Sequence, residues 1–285
     1  MSSPSDLISL AAAQQWSGVA DAALTESLIT SVSRQILTWL RRPSILPRAY
    51  SETFDGQGNS RITLSNWPVV SVSSLVIDHV AVPPGLDPSV VGSGVMAPYS
   101  SLGYLLQADA GLPPGAPQRI DVYGRRFYWG RANVVADYVA GYQITNEPGI
   151  VPASPSELTP LQPYGAWASD VGVTYVDGTP LTAVSGEPNV GEYQVSAGVY
   201  TFSDHDAGAD VFLSYGYVPA DLANAAAQWV SELIAYQGRI GVRSKSLGGQ
   251  ETVSFNVPGF VGNMANAIPP YVQQMLWPYR RVIQL

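Results

Sequence analysis

Cysteine is absent from the 285 residues, which excludes disulfides, thiolate metal centres and cysteine nucleophiles. Lysine is nearly absent as well: of fourteen basic residues, thirteen are arginine and one, Lys245, is lysine. The planar arginine fork suits ordered, bidentate contacts better than a mobile solvated surface does. Charge of either sign is scarce, at 13% of residues, about half the usual share. A surface so poor in charge leans on Ser, Thr, Asn, Gln and backbone, or is partly covered in an assembly. No apolar run is long enough to span a bilayer. The opening residues Met1-Ser2-Ser3-Pro4-Ser5-Asp6 lack a basic stretch before an apolar one, so no secretory leader is expected. The expected place is a cytosol, or a particle assembled there. The net charge of −8 argues against a free-standing nucleic-acid binder.

What is present is apolar and aromatic. Hydrophobic residues make up 46% and aromatics 10%, enough for one large or two modest domains with a sizeable core. The first 42 residues read as helical. Ser9 caps a helix over 10–16, and Asp21 caps a longer one over 22–41. Leu24, Leu28, Ile29, Val32, Ile36, Leu37 and Leu40 fall at spacings of three and four on the second. Arg41 and Arg42 suit its last turn, and Pro43 stops it.

From Tyr50 the period changes to two. Residues 50–54, the Asp55-Gly56-Gln57-Gly58-Asn59 turn and residues 61–64 predict a hairpin. Further strands are expected over 72–77, 104–107, 120–122 and 133–138. A second β block is expected over 172–175, 193–195, 198–202 and 209–215, giving a small sandwich or barrel. Residues 146–165 are Pro-rich and read as a linker or long surface loop. One short echo is visible: Asp137-Tyr138-Val139-Ala140-Gly141-Tyr142 resembles Ser214-Tyr215-Gly216-Tyr217. Insertion of material between a strand and the helix it fed is the simplest account. Pro219 and Asp221 then open a late helix whose stripe holds Leu222, Ala225, Ala226, Trp229, Leu233, Ile234 and Tyr236, with Gly238 ending it. The expected fold class is therefore α+β. A helical core, 1–49 with 218–285, carries a large β-rich insertion, 50–217, in two sub-blocks over 50–145 and 166–217.

Chemistry is hard to find in this chain. His205 lies between Asp204 and Asp206, yet adjacent side chains in a turn diverge, so a solvated acidic turn is the preferred reading over a metal site. His79 follows a strand. The Asp55–Asn59 run lacks the later acidic ligand of a calcium loop. Neither a P-loop, nor a dinucleotide fingerprint, nor Gly-x-Ser-x-Gly in a strand-to-helix setting is present. No enzymatic activity and no cofactor or metal are expected. Arg125-Arg126-Phe127-Tyr128-Trp129 interleaves cations and aromatics as a nucleic-acid face does, but the acidic balance favours a β-edge or subunit contact there.

Several segments, in order along the chain, resemble the head–tail connector (adaptor, or head-completion) proteins of long-tailed bacteriophages. They are Leu10-Ala11-Ala12-Ala13, Asp21-Ala22-Ala23-Leu24, residues 50–58, Leu64 with residues 67–75, and Tyr215-Gly216-Tyr217 running into Val218-Pro219-Ala220-Asp221-Leu222. Last come Gly241-Val242-Arg243-Ser244-Lys245-Ser246-Leu247-Gly248-Gly249 and Pro278-Tyr279-Arg280-Arg281. They cover about half of the chain, and none is a catalytic signature.

The resemblance implies a structural virion protein of the neck, assembled in the host cytoplasm, whose ring of twelve subunits sits beneath the portal. Its partners would be the portal protein, its own copies, a downstream neck or tail-terminator protein, and double-stranded DNA passing unbound through the lumen during packaging and ejection. The portal-binding residues it implies are Leu276, Trp277, Tyr279, Arg280, Arg281, Val282, Ile283 and Leu285. Those implied for the subunit interface are Leu28, Val32, Ala225, Ala226, Trp229 and Leu233. A flexible lumen loop would hold Arg243, Lys245, Ser246, Gly248 and Gly249. The β insertion exceeds what a compact connector needs. Two rival readings follow from the residues alone. One is a glycan or cell-surface module of a phage neck or tail, stacking ligands on Tyr99, Tyr104, Tyr128, Trp129, Tyr164 and Trp167; the other is a hydrolase with paired carboxylates.

Overall fold

The computed structural model describes residues 5–18, 21–85, 103–107, 118–237, 244–247, 251–254 and 268–281. The architecture is α+β without a closed barrel. The chain divides into two compact units. One holds 1–45, 161–167 and 218–280; the other holds 46–160, 168–217 and 281–285.

The first unit is helical: α1 (Leu10–Ser17), α2 (Ala22–Leu40), α3 (Ala220–Gln237) and α4 (Pro270–Leu276). Ser9 Oγ accepts from Ala12 N at 3.2 Å and Asp21 Oδ1 from Leu24 N at 3.1 Å, so both early helices begin at their side-chain caps. α2 ends one residue before the arginine pair. Arg41 takes the left-handed cap conformation at φ 57°, and Arg42 is buried rather than lying in the last turn. Thr25, Ile29, Val32, Ser33, Ile36 and Leu40 form the buried stripe of α2. Against it α3 sets Leu222, Ala225, Ala226, Trp229 and Val230, all buried. Pro219 is the last residue of a strand and not part of the first helical turn. The exposed N–H of Ala220 is taken up by the Tyr164 carbonyl at 3.1 Å, which ties residues 161–167 to this unit. Ser244–Leu247 and Glu251–Ser254 pair as an antiparallel hairpin.

The second unit is built of strands in two blocks. In the first are β1 (Arg48–Gly56), β2 (Arg61–Thr63), β3 (Val69–Ile77), β4 (Val80–Ala81), β5 (Gly103–Gln107), β6 (Arg119–Tyr123) and β7 (Gly130–Ala140). They make two antiparallel sheets, ordered β1-β7-β3-β4 and β2-β6-β5. Alternation along β7 sends Val134, Ala136, Tyr138 and Ala140 inward, onto Leu75 and Ile77 of β3 and Ile120 and Val122 of β6. The expected hairpin over 50–64 does not form. Phe54 of β1 faces Val134, and Ile62 of β2 faces Ile120. Distant partners hold the intervening corner: Asp55 Oδ1 accepts from Ala132 N at 2.6 Å, and Asn133 Oδ1 from Gly56 N at 2.8 Å. The tight hairpin lies instead between β3 and β4, where Asp78 and His79 both have positive φ.

The second block holds β8 (Gln143–Ile150), β9 (Glu157–Leu158), β10 (Gly165–Tyr175), β11 (Thr182–Ala183), β12 (Glu192–Ser196), β13 (Val199–Phe202) and β14 (Asp210–Pro219). Its sheets are ordered β10-β14-β8 and β11-β12-β13-β9. Residues 146–150, expected as linker, are the outer half of β8, with Pro148 opposite Phe212. β8 is an edge strand, where a residue without an N–H is tolerated. The tyrosine echo closes on itself: Tyr217 N donates to Tyr142 O at 3.1 Å, and the two rings meet edge to face at 5.8 Å.

Carboxylates in this block are held by tyrosine hydroxyls. Tyr215 donates to the buried Glu147 at 2.6 Å, and Tyr175 to the buried Asp206 at 2.9 Å. Tyr193 and Tyr200 both donate to Asp170, at 2.6 and 3.1 Å. Burial first, then Asp170, raises the Tyr193 pKa above the ordinary 10.0; burial first, then Asp206, raises that of Tyr175. The unfolded chain thus releases protons above about pH 10 that the folded chain keeps, so this stabilisation is complete below that pH and drains away above it. In denaturant titrations the unfolding midpoint should hold steady through neutral pH and fall above about pH 10. A late fraction of the tyrosinate absorbance, that of the buried rings, should appear together with loss of secondary structure, and Tyr193→Phe should remove part of the fall.

Candidate interaction surfaces

The C-terminal segment is anchored on its own chain. Leu276 and Val272 of α4 are fully buried with Ile268 in the helical unit. The next turn, Trp277–Tyr279, is short 3-10 helix. Trp277 meets Trp39 of α2 with ring centroids 6.3 Å apart, and the Arg280 guanidinium lies 5.1 and 5.6 Å from the two ring centres. Tyr279 donates to Asp221 at 3.2 Å, and Tyr271 donates to Glu232 at 2.6 Å. Burial, then Glu232, raises the Tyr271 pKa. Arg281 pairs with Glu52 at 2.7 Å, and Glu52 also accepts from Asn66 Nδ2 at 2.8 Å and Ser65 N at 3.3 Å.

The residues expected to bind the portal differ in their placement. Leu276 is core, and Tyr279, Arg280 and Arg281 have partners within their own units. Trp277 remains 64% exposed. Val282, Ile283 and Leu285 lie outside the described residues.

The residues expected at a subunit interface are likewise placed inside. Val32, Ala225, Ala226 and Trp229 are buried in the helical unit itself, and Leu28 and Leu233 are half-buried. Their periodicity marked an apolar stripe correctly, but α1, α2, α3 and α4 cover that stripe among themselves. The outward face of α2 is small and polar, with Ala23, Ser27, Ser31 and Arg34 exposed. Lys245 and Ser246 belong to the hairpin strand Ser244–Leu247 rather than to an irregular loop. Arg243, Gly248 and Gly249 fall outside the described residues.

The aromatic side chains considered for glycan stacking differ in exposure, with Tyr128, Trp129 and Tyr164 exposed. Tyr104 is buried and donates to the Val72 carbonyl at 3.1 Å, while Tyr99 lies outside the described residues. Tyr164 and Trp167 belong to the helical unit, Tyr128 and Trp129 to the β unit. His205 sits in a 3-10 turn beside a shallow hollow of about 870 Å³ lined by Glu157, Pro188, Asn189 and Asp204. Both neighbouring carboxylates are engaged: Asp204 accepts from Ser156 at 2.7 Å, and Asp206 from Tyr175 and from Gly191 N. Among the described residues no group of three or more His, Asp and Glu has the arrangement of a metal site.

One surface carries more than the sequence reading gave it. The β6–β7 turn and the first residues of β7 expose Arg125, Arg126, Tyr128, Trp129 and Arg131 on either side of the fully buried Phe127. Phe127 N donates to Asn59 O at 2.8 Å and Gly58 N to Phe127 O at 2.7 Å, so the turn is pinned at its base. The indole of Trp129 lies across Gly58, which has φ +74° and no side chain to interfere.

No protein-family model and no curated protein matches this chain. Among solved structures it is similar to a chain in the neck of an empty gene transfer agent (GTA) particle computed with C6 symmetry. Identity is 14% and the TM-score 0.38, over 98% of this chain and 92% of that one. A chain from the virion of the native GTA particle gives 13% and 0.39 over the same shares. Likenesses this distant bear on neither fold nor function.

The placement of the C-terminal turn separates two substitutions. Leu276→Ala should destabilise the helical unit by about 2–4 kcal/mol, the cost of a core cavity. Trp277→Ala should cost about 1 kcal/mol or less, the scale of an exposed cation–π contact. Urea unfolding followed by far-UV circular dichroism distinguishes the two.

Proposed function

We propose that the chain is a structural protein of a phage-like virion neck, a connector subunit that forms a homo-oligomeric ring beneath the portal. The ordered set of connector-like segments supports the reading, and so does the assembly of one helical unit from the two ends of the chain, 1–45 and 218–280. The observation that carries it furthest is the C-terminal edge. Trp277, mostly exposed, is stacked with Arg280 at the surface, and the apolar Val282, Ile283 and Leu285 follow a few residues later. An aromatic and arginine platform leading into apolar residues has the composition of a protein–protein hot spot. The portal is the partner the reading assigns to it.

In this reading a neighbouring subunit meets the helical unit through the polar outer face of α2, with Ser27, Ser31 and Arg34, since Val32 and the α3 alanines are already covered. A ring of chains each at −8 repels DNA, which suits passage through the lumen rather than retention. The β unit adds a surface beyond the helical core, and the tail-side neck protein is the second partner.

The test removes residues 282–285 and spares Leu276, whose loss would destabilise the helical unit. The truncated chain should keep the wild-type melting profile and lose retention on purified portal rings of its own particle. Retention equal to that of the full chain would sink the tail assignment.

A further inference from the structure

The exposed β6–β7 turn and the second β block are complementary in charge and in apolar character. From residue 132 to 238 the chain contains no lysine and no arginine. Within 143–217 there are nine acids and a single histidine. The β6–β7 turn, by contrast, places three of the fourteen basic residues within seven positions, 125 to 131. None of these three arginines has an ion-pair partner among the described residues, and Tyr128 and Trp129 beside them are 55% and 82% exposed. In an acidic chain, a pinned turn of unpaired arginines and exposed aromatics fits an acidic partner with some apolar surface.

Such a surface exists on the same chain. At the outer end of the β10-β14-β8 sheet, Ile150 stands opposite Asp210, and Val176 N donates to Asp210 O at 3.2 Å. Ile150 and Val176 are 62% and 63% exposed; Asp210 and the adjoining Asp177 are exposed as well. Two exposed apolar residues and two exposed carboxylates thus share one sheet end, complementary in charge and character to the exposed aromatics and arginines of the turn.

We infer that the Arg125–Arg131 turn of one copy docks on the Ile150–Val176–Asp177–Asp210 surface of a second copy of this chain. The contact joins two different surfaces, so it propagates head to tail and closes only as a ring. The pinned turn loses little freedom on docking, which favours the contact. The overall −8 disfavours both unspecific self-association and nucleic acid as the occupant. This deepens the ring of the proposed neck reading but is argued from the charge pattern. Portal retention of the 282–285 truncation tests that reading separately, so failure of one leaves the other legible.

The absence of native cysteine permits a direct test in the full-length chain. Trp129→Cys and Val176→Cys variants are purified singly, mixed at low salt and oxidised. Disulfide-linked dimers should form in the mixture several-fold above either variant alone, and about 1 M salt should suppress them. Arg125→Glu with Arg126→Glu in the Trp129→Cys chain should lower the yield roughly tenfold. Asp177→Arg with Asp210→Arg in the Val176→Cys chain should restore it. Thermal melts confirm that every variant is folded.

A mixture yield no higher than that of Trp16→Cys with Val176→Cys, a pair of exposed positions outside the proposed contact, overturns the inference. So does loss of double-stranded DNA retention on the arginine reversals with cross-linking unchanged, which would make the turn a nucleic-acid surface.

Discussion

The hydrogen bond from a tyrosine hydroxyl to a carboxylate is the interaction on which much of this structure depends. With 22 acids and 14 lysines and arginines, and no lysine or arginine over 132–238, the chain has too few cations to pair its acids. A buried carboxylate without donors is costly. Tyrosine supplies the donor and, in the same side chain, a large apolar ring for the core. Tyr215 serves Glu147 in this way, Tyr175 serves Asp206, and Tyr193 with Tyr200 serves Asp170. In the helical unit Tyr271 and Tyr279 hold Glu232 and Asp221. Glu147 and Asp206 are buried, where a satisfied hydrogen bond contributes about 0.5–1.5 kcal/mol; the exposed pairs of Tyr271 and Tyr279 contribute less.

A second consequence concerns the ends of the chain. The helical unit is closed by segments from both termini. Leu276 completes a core begun by Val32 and Ile36, and the Trp39–Arg280–Trp277 stack covers its edge. Among the described residues of the last quarter, Leu222, Trp229, Val230, Ile268, Val272 and Leu276 are buried. Among the described residues of this segment, Trp277 keeps an exposed flank.

Much of the fold was legible from the residues. The caps at Ser9 and Asp21, the stripe from Ile29 to Leu40, the late helix led by Asp221 and the β alternation around 133–138 all lie where local chemistry puts them. The interaction surfaces were less so. The stripe of α3, with Ala225 and Ala226, showed that something packs there, and the same pattern serves a neighbouring subunit or a neighbouring helix. The turn at 125–131 was visible as a mixed basic and aromatic run. Its meaning as a rigid presented surface came only from Phe127 beneath it and Gly58 beside it.

By itself, the sequence determined the type of each long element, the face it buries, the excess of acids over bases and the absence of thiol chemistry. These are local or additive properties, set by side-chain period, caps and charge count. Tertiary structure alone decided which strand β1 and β2 would pair with, that residues 146–150 would extend a sheet instead of linking two blocks, and that Leu276 would face inward. Each of those outcomes joins residues tens to hundreds of positions apart. Period and composition say that a surface must be covered; only the competition among all available surfaces decides what covers it.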